Sequence, residues 1–172
     1  MLFCIFEGTF INKLMSKFSH LNKKNQPKMV DVSEKSISKR IAIAKATMFL
    51  SEEVVAHFIN DDLVTKKGSV FQTAIIAGIQ AVKKTSEIIP MCHPLLINGV
   101  DIDISIVDKE HVEVFCTVTI EGKTGVEMEA LTGATATCLT IYDMCKSISQ
   151  KMVIREVKLI QKSGGKSDIN IQ

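Results

Sequence analysis

Val100 to Val107, VDIDISIV, restricts the fold more than any other stretch, because Asp101, Asp103 and Ser105 share one face while Val100, Ile102, Ile104 and Ile106 share the other. Side chains of a strand point to opposite faces with period two, so this is a strand with one face buried and one face wet. Asp108-Lys109-Glu110 reads as a turn, and His111 to Ile120 returns as the second strand of a hairpin. Such a hairpin belongs to an antiparallel sheet with its apolar side covered.

Helical segments are available as the cover. Lys66-Lys67-Gly68-Ser69 leads into a helix whose Phe71, Ile75, Gly78, Ile79 and Val82 fall on one side. In Gly122 to Lys146, GKTGVEMEALTGATATCLTIYDMCK, Thr124 as N-cap puts Glu127 at N3 and completes a T-x-x-E capping box. That spacing predicts a long helix through Ala130, Ala134, Ala136 and Leu139. Arg40 to Met48 reads as a strand, Ser51 as the cap of a short helix over Glu52 to Phe58 ended by Asn60-Asp61-Asp62, and Met152 to Ile160 as a final strand. Pro90 and Pro94 bracket a rigid connector. With no regular βαβ series, these elements predict an α+β fold: a ferredoxin-like two-layer sandwich, mostly antiparallel, with helices packed on one face of the sheet.

The chain has 172 residues, 46% of them hydrophobic, which suits one domain over residues 15–172. Residues 1–14 read as a disordered or mis-called extension, with Met15 as the initiator. The net charge of +2 excludes a strongly basic nucleic-acid binder. Charge is also uneven, since residues 1–28 hold five lysines against Glu7 alone. The five cysteines show no CxxC spacing, so neither a disulfide framework nor a zinc ribbon is indicated. No apolar run approaches the length of a membrane span. A cytoplasmic location is expected, with an organellar one as the alternative if residues 1–14 are a targeting segment.

Several motifs carry chemistry. Gly122-Lys123-Thr124 fails as a P-loop because Thr117 stands where glycine is required. Lys162-Ser163-Gly164-Gly165-Lys166 reads either as a phosphate-wrapping turn or as a solvated C-terminal tail. Met91-Cys92-His93-Pro94 places a thiol and an imidazole in a proline-locked turn, but zinc would need two further ligands and neighbouring residues rarely make a nucleophile–base pair. Lys67 reads as an anion ligand or a surface charge. Asp143 and Lys146 share a helix face and read as a surface ion pair or, at the margin of buried surface beside Leu139, Ile141, Met144 and Cys145, as a coupled proton donor and acceptor. Glu129 and Asp143 are 14 residues apart, roughly 21 Å along a continuous helix. One compact site in one chain does not easily use both.

In order and spacing, MVDVS at 29–33, KKG at 66–68, AGIQA at 77–81, IPMCHPL at 89–95, GKTGVEMEALT at 122–132, IYDMCK at 141–146 and KSGGKS at 162–167 resemble the MoaC family. The resemblance runs from about Phe18 to Asp168. It implies a phosphorus–oxygen lyase of molybdenum cofactor biosynthesis, a cyclic pyranopterin monophosphate synthase acting on 3′,8-cyclo-7,8-dihydro-GTP with release of pyrophosphate. By that resemblance Asp143 is catalytic with Lys146 as its acid–base partner, and Lys67, Arg40, Lys162 and Lys166 hold the triphosphate. Met91, Cys92, His93, Met128 and Glu129 match substrate-binding stretches, as does Glu127 unless it only caps its helix. The resemblance further implies a homohexamer, a trimer of dimers with sites at the dimer interface. It requires neither cofactor nor protein-bound metal, is compatible with Mg2+ accompanying the triphosphate, and implies no nucleic-acid or membrane partner. Arg155-Glu156 departs from a more usual Gly-Pro and points to an altered bend in the last strand. The competing reading is a non-catalytic ferredoxin-like RNA- or protein-binding module. A chain with no Trp, one Tyr and only Phe115 within the hairpin offers an RNA-reading sheet few stacking groups.

Overall fold

The structure, a computed structural model, describes residues 20–22, 24–58, 62–65 and 68–171. The reading of residues 1–14, the helix end at Asn60-Asp61 and the anion-ligand reading of Lys67 lie outside the described residues.

The hairpin forms as expected: β4 (Gly99–Ile106) pairs antiparallel with β5 (His111–Gly122), and Ile102 lies opposite Cys116. β1 (Ser38–Phe49) lies on the other side of β5, followed by β6 (Val153–Ser163) and the short β7 (Ile169–Asn170), so the sheet order is β4-β5-β1-β6-β7, antiparallel throughout. Two-residue strands β2 (Val64–Thr65) and β3 (Gly68–Ser69) form a separate ribbon. The helices are α1 (Glu52–Val55), α2 (Val70–Lys83), α3 (Thr85–Ile88) and α4 (Glu127–Cys145). The run β1-α2-β4-β5-α4-β6 is the ferredoxin-like βαββαβ unit, with β1 and β5 in its centre.

One face of the sheet carries the core. Ala42, Ala44, Ala46 and Met48 of β1 and Val112, Val114, Cys116, Val118 and Ile120 of β5 are buried in strict alternation beneath α2 and α4. Small residues let those helices approach: a Cβ on Gly133 would stand 2.6 Å from both the Cys116 Sγ and a Val82 methyl. The other face is more polar and includes a Lys45–Glu113 ion pair at 2.6 Å.

Two expected caps are corrected. α4 begins at Glu127 with Val126 in the N-cap position and no side-chain cap bond, so the Thr124 capping box does not form. Glu127 is engaged elsewhere, as described below. α1 is only four residues long, and Ser51 at its N-cap position makes no side-chain cap bond; its Oγ is buried with no hydrogen-bond partner among the described residues. α2 does carry a side-chain cap, Ser69 Oγ accepting from the Gln72 N–H, with Asp62 accepting from the N–H groups of Leu63 and Phe71 and from the Ser69 hydroxyl.

β6 runs three residues further than expected and is irregular where Arg155 stands. Thr47 faces Glu156 while Met48 faces Ile154, leaving Arg155 as an extra residue; a second skip leaves out Ile160 between Leu159 and Gln161. A bulge inserts one residue and so reverses which face the following side chains take. After the second one Lys162 lies opposite Ala42, on the helix-covered face.

Candidate functional site

The β5–α4 loop, the 89–95 connector and the segment before β1 enclose a cavity of about 480 Å³, a size suited to a small organic ligand. Met91, Cys92 and His93 form one wall and Glu127, Met128 and Glu129, the first turn of α4, another. Lys166 reaches it from the turn between β6 and β7. Seven of the residues singled out in the sequence therefore meet in one place.

Glu129 is 4% exposed, and burial raises its pKa, with the negative charge of Glu127 adding to the effect. A carboxyl so placed holds its proton at higher pH than an ordinary glutamate. Cys92 is likewise raised by burial and by the field of Glu129, so it stays a thiol, which argues against a thiolate nucleophile. His93 Nε2 lies 2.8 Å from the Val30 carbonyl oxygen. A carbonyl only accepts, so Nε2 carries the hydrogen, and in the neutral ring Nδ1 presents its lone pair.

A crevice shares Gly125 and Glu127 with this cavity and is lined by Arg40, Lys162 and Gly165. Lys162 Nζ contacts Glu127 Oε1 at 3.1 Å, the contact that takes Glu127 away from helix capping. Arg40 Nε donates to the Gly122 carbonyl at 3.0 Å, which fixes the guanidinium beside the loop. The KSGGKS stretch is not a solvated tail. It turns between β6 and β7 and docks on the start of β1, with Ser38 Oγ donating to the Gly164 carbonyl at 2.9 Å and the Gly164 N–H donating to Asp168. Gly164 has φ +84°, and a Cβ there would collide with the Lys39 carbonyl, so glycine is required.

Asp143 and Lys146 are not part of this cavity. They sit at the far end of α4, where Lys146 Nζ donates to Asp143 Oδ1 at 2.6 Å and both side chains are more than half exposed, 54% and 53%. Of the two readings the sequence left open for this pair, one chain alone presents the surface ion pair and not the half-buried one. The hydrogen bond to Asp143 and its charge raise the Lys146 pKa, so the ammonium form is favoured. Sequence reasoning passed over the wall made by His20, Val30, Val32 and Lys35. Its signal was present in MVDVS, where Val30 and Val32 alternate with polar residues.

Residues 29–165 match the model of the MoaC family. The chain is 48% identical to "Molybdenum cofactor biosynthesis protein 1" of Dictyostelium discoideum, over 88% of this chain and 27% of that protein. It is 48% identical to the "Molybdenum cofactor biosynthesis bifunctional protein" of a Synechocystis species, over 89% and 45%. It thus spans about a quarter and under half of those two longer relatives. A "Cyclic pyranopterin monophosphate synthase" of Helicobacter hepaticus is 53% identical over 88% of this chain and 94% of its own length. A family match covering most of the chain, with relatives near 50% identity along it, means that this chain belongs to the MoaC family.

Proposed function

We propose that this chain is a cyclic pyranopterin monophosphate synthase, a lyase that converts 3′,8-cyclo-7,8-dihydro-GTP to cyclic pyranopterin monophosphate and pyrophosphate. The observation that carries this reading is the junction of a proton-active cavity with a cationic crevice: Glu129 and His93 in one, Arg40 and Lys162 in the other, with Glu127 between. The substrate needs both. Its purine-derived ring must open and reclose through proton transfers. Its cyclic phosphate forms when a sugar hydroxyl loses its proton to a base and attacks the α-phosphorus as the bond to the β-phosphate breaks.

In this reading Arg40, Lys162 and Lys166 hold the triphosphate and stabilise the departing pyrophosphate. Glu127 parks Lys162 until an anion competes for it. Met91, Cys92 and Met128 flank the ring system, while His93 and Glu129 exchange protons with it. Asp143 and Lys146 act as the catalytic acid–base pair of a neighbouring copy's site, because the roughly 21 Å length of helix between Glu129 and Asp143 keeps them out of their own. Lys67 joins the cations that hold the triphosphate and stabilise its departing charge. That arrangement calls for an oligomer, and we assign a homohexamer built as a trimer of dimers with sites at the dimer interface, without nucleic-acid or membrane partners. Among the described residues no group of three or more His, Cys, Asp or Glu side chains is placed to hold a metal. In this reading any Mg2+ accompanies the triphosphate, whose oxygens suit that hard cation. No helix among the described residues is long and apolar enough to cross a membrane. We assign the enzyme to the cytoplasm on its cysteines instead, whose spacing shows no disulfide framework.

Purified protein given the cyclo-GTP substrate is expected to release pyrophosphate and to yield a product that becomes a fluorescent pterin on oxidation. Neither signal from a folded oligomer would leave the binding-module reading in its place. A second expectation concerns the turn. Gly164→Ala must lose the docked conformation of the KSGGKS turn, so calorimetry should show inorganic tripolyphosphate binding weakened about tenfold, with a lowered Tm.

A further inference from the structure

We infer that Lys123 is a positioning residue that fastens residues 28–35 as the outer wall of the cavity, while itself standing outside it. Lys123 Nζ donates to the Ser33 carbonyl oxygen at 2.7 Å, across 90 positions of sequence. The loop residues after it, Thr124 and Gly125, line the cavity. Lys123 does not, so its effect passes through the segment it holds.

That segment has little of its own to keep it in place. Asp31 Oδ1 accepts from the Ser33 N–H and hydroxyl at 2.8 and 2.6 Å, and the Lys35 N–H bonds the Val32 carbonyl at 3.1 Å, which together make one tight turn. Those hydrogen bonds hold the Asp31 carboxyl below the usual range, with Lys28 and Lys123 contributing by charge. The turn sets Val30 and Val32 half-buried toward the cavity, leaves Asp31 and Ser33 exposed, and brings Lys35 to the cavity wall. Among the described residues three ties from elsewhere then fix it, the His20 carbonyl accepting from the Lys28 N–H at 2.8 Å, His93 on the Val30 carbonyl and Lys123 on the Ser33 carbonyl, and of these Lys123 reaches furthest along the segment. His93 faces the cavity and has chemistry to do there, whereas Lys123 serves only the segment.

A cavity wall fastened by one charged hydrogen bond at its polar end is a wall that ligand binding orders further. Removing that bond loosens the wall before substrate arrives, so the cost falls on binding rather than on the chemical step.

The test uses Lys123→Met, which keeps the aliphatic stem without a donor, and Lys123→Arg, which restores a charged donor, in the full chain. Amide exchange over residues 28–35, read by mass spectrometry without substrate, is expected to quicken roughly tenfold in the methionine variant and to return toward the parent rate in the arginine variant. With substrate, KM should rise about tenfold in Lys123→Met at a kcat within about twofold of the parent. Should Lys123→Met not fold, Lys123→Ala replaces it. Unchanged exchange, no recovery with arginine, or a fall in kcat at constant KM overturns the inference. The kinetic arm rests on the synthase reading and the exchange arm does not, so an inactive parent would count against that reading alone.

Discussion

Asp143→Asn is expected to lower turnover by about 10²–10⁴-fold, the range that a positioned general acid or base contributes, while the Tm hardly moves. The fold of the single chain is spared because there the carboxyl is more than half exposed and its bond to Lys146 is a surface contact, screened by water. Loss of a proton carrier cannot be repaired by an amide, which neither takes up nor releases a proton at neutral pH. The geometry of α4 adds a sharper expectation. Asp143 lies at one end of the helix, and Arg40 reaches the loop leading into the other. Asp143→Asn and Arg40→Ala therefore damage different halves of a shared site. Mixed and reassembled, the two inactive chains form dimers in which one site carries both lesions and the other neither, so about a quarter of parental activity should return with random pairing. Full turnover by Asp143→Asn would remove Asp143 as the proton carrier. No recovery in verified mixed oligomers would place each site within one chain.

The parts of the fold that follow from periodicity were legible, and those that depend on a single inserted residue or on a long-range partner were not. Alternation in Val100 to Val107 is a local property, so the hairpin could be read directly, and the helix face Phe71, Ile75, Gly78, Ile79 and Val82 follows from spacing alone. Lys162 shows the limit. Its approach to Glu127 depends on Ile160 being skipped in the pairing with β1, and no residue type in LIQK announces a bulge. The capping box failed for a related reason. T-x-x-E is a local signature, but Glu127 has a lysine 35 residues away as an alternative partner, and the ion pair takes the carboxylate. The tail reading of KSGGKS failed because Ser38, which holds it, is 126 residues distant. For the site, resemblance gathered residues that spacing could not, while the wall at 30–35 stayed unseen because its valines look like any short strand. The distance between Glu129 and Asp143 was available from sequence through helix geometry, and it is what makes a second copy necessary to the proposed site.

Glu129→Gln should separate stability from activity. Burial lowers the stability of the charged carboxylate in the folded chain, and the raised pKa records that penalty. The sign follows from proton counts. Between the ordinary glutamate pKa and the raised one, the folded state binds more protons than the unfolded state, so stability falls as pH rises through that window. Below the window nothing is lost; above it the loss is complete. Glutamine is nearly the same size and never ionises, so the Tm of Glu129→Gln minus that of the parent should be small near pH 4 and grow to a plateau of a few degrees above the raised pKa. Turnover should move the other way, down about 10²-fold or more, because the amide cannot exchange the proton that the buried acid holds near the reacting ring. A chain that carries a costly buried acid at the inner wall of its cavity trades stability for a usable proton. A pH-independent difference in Tm would mean that the carboxyl is not charged at a cost in the folded state, and unchanged turnover would move the proton exchange onto His93.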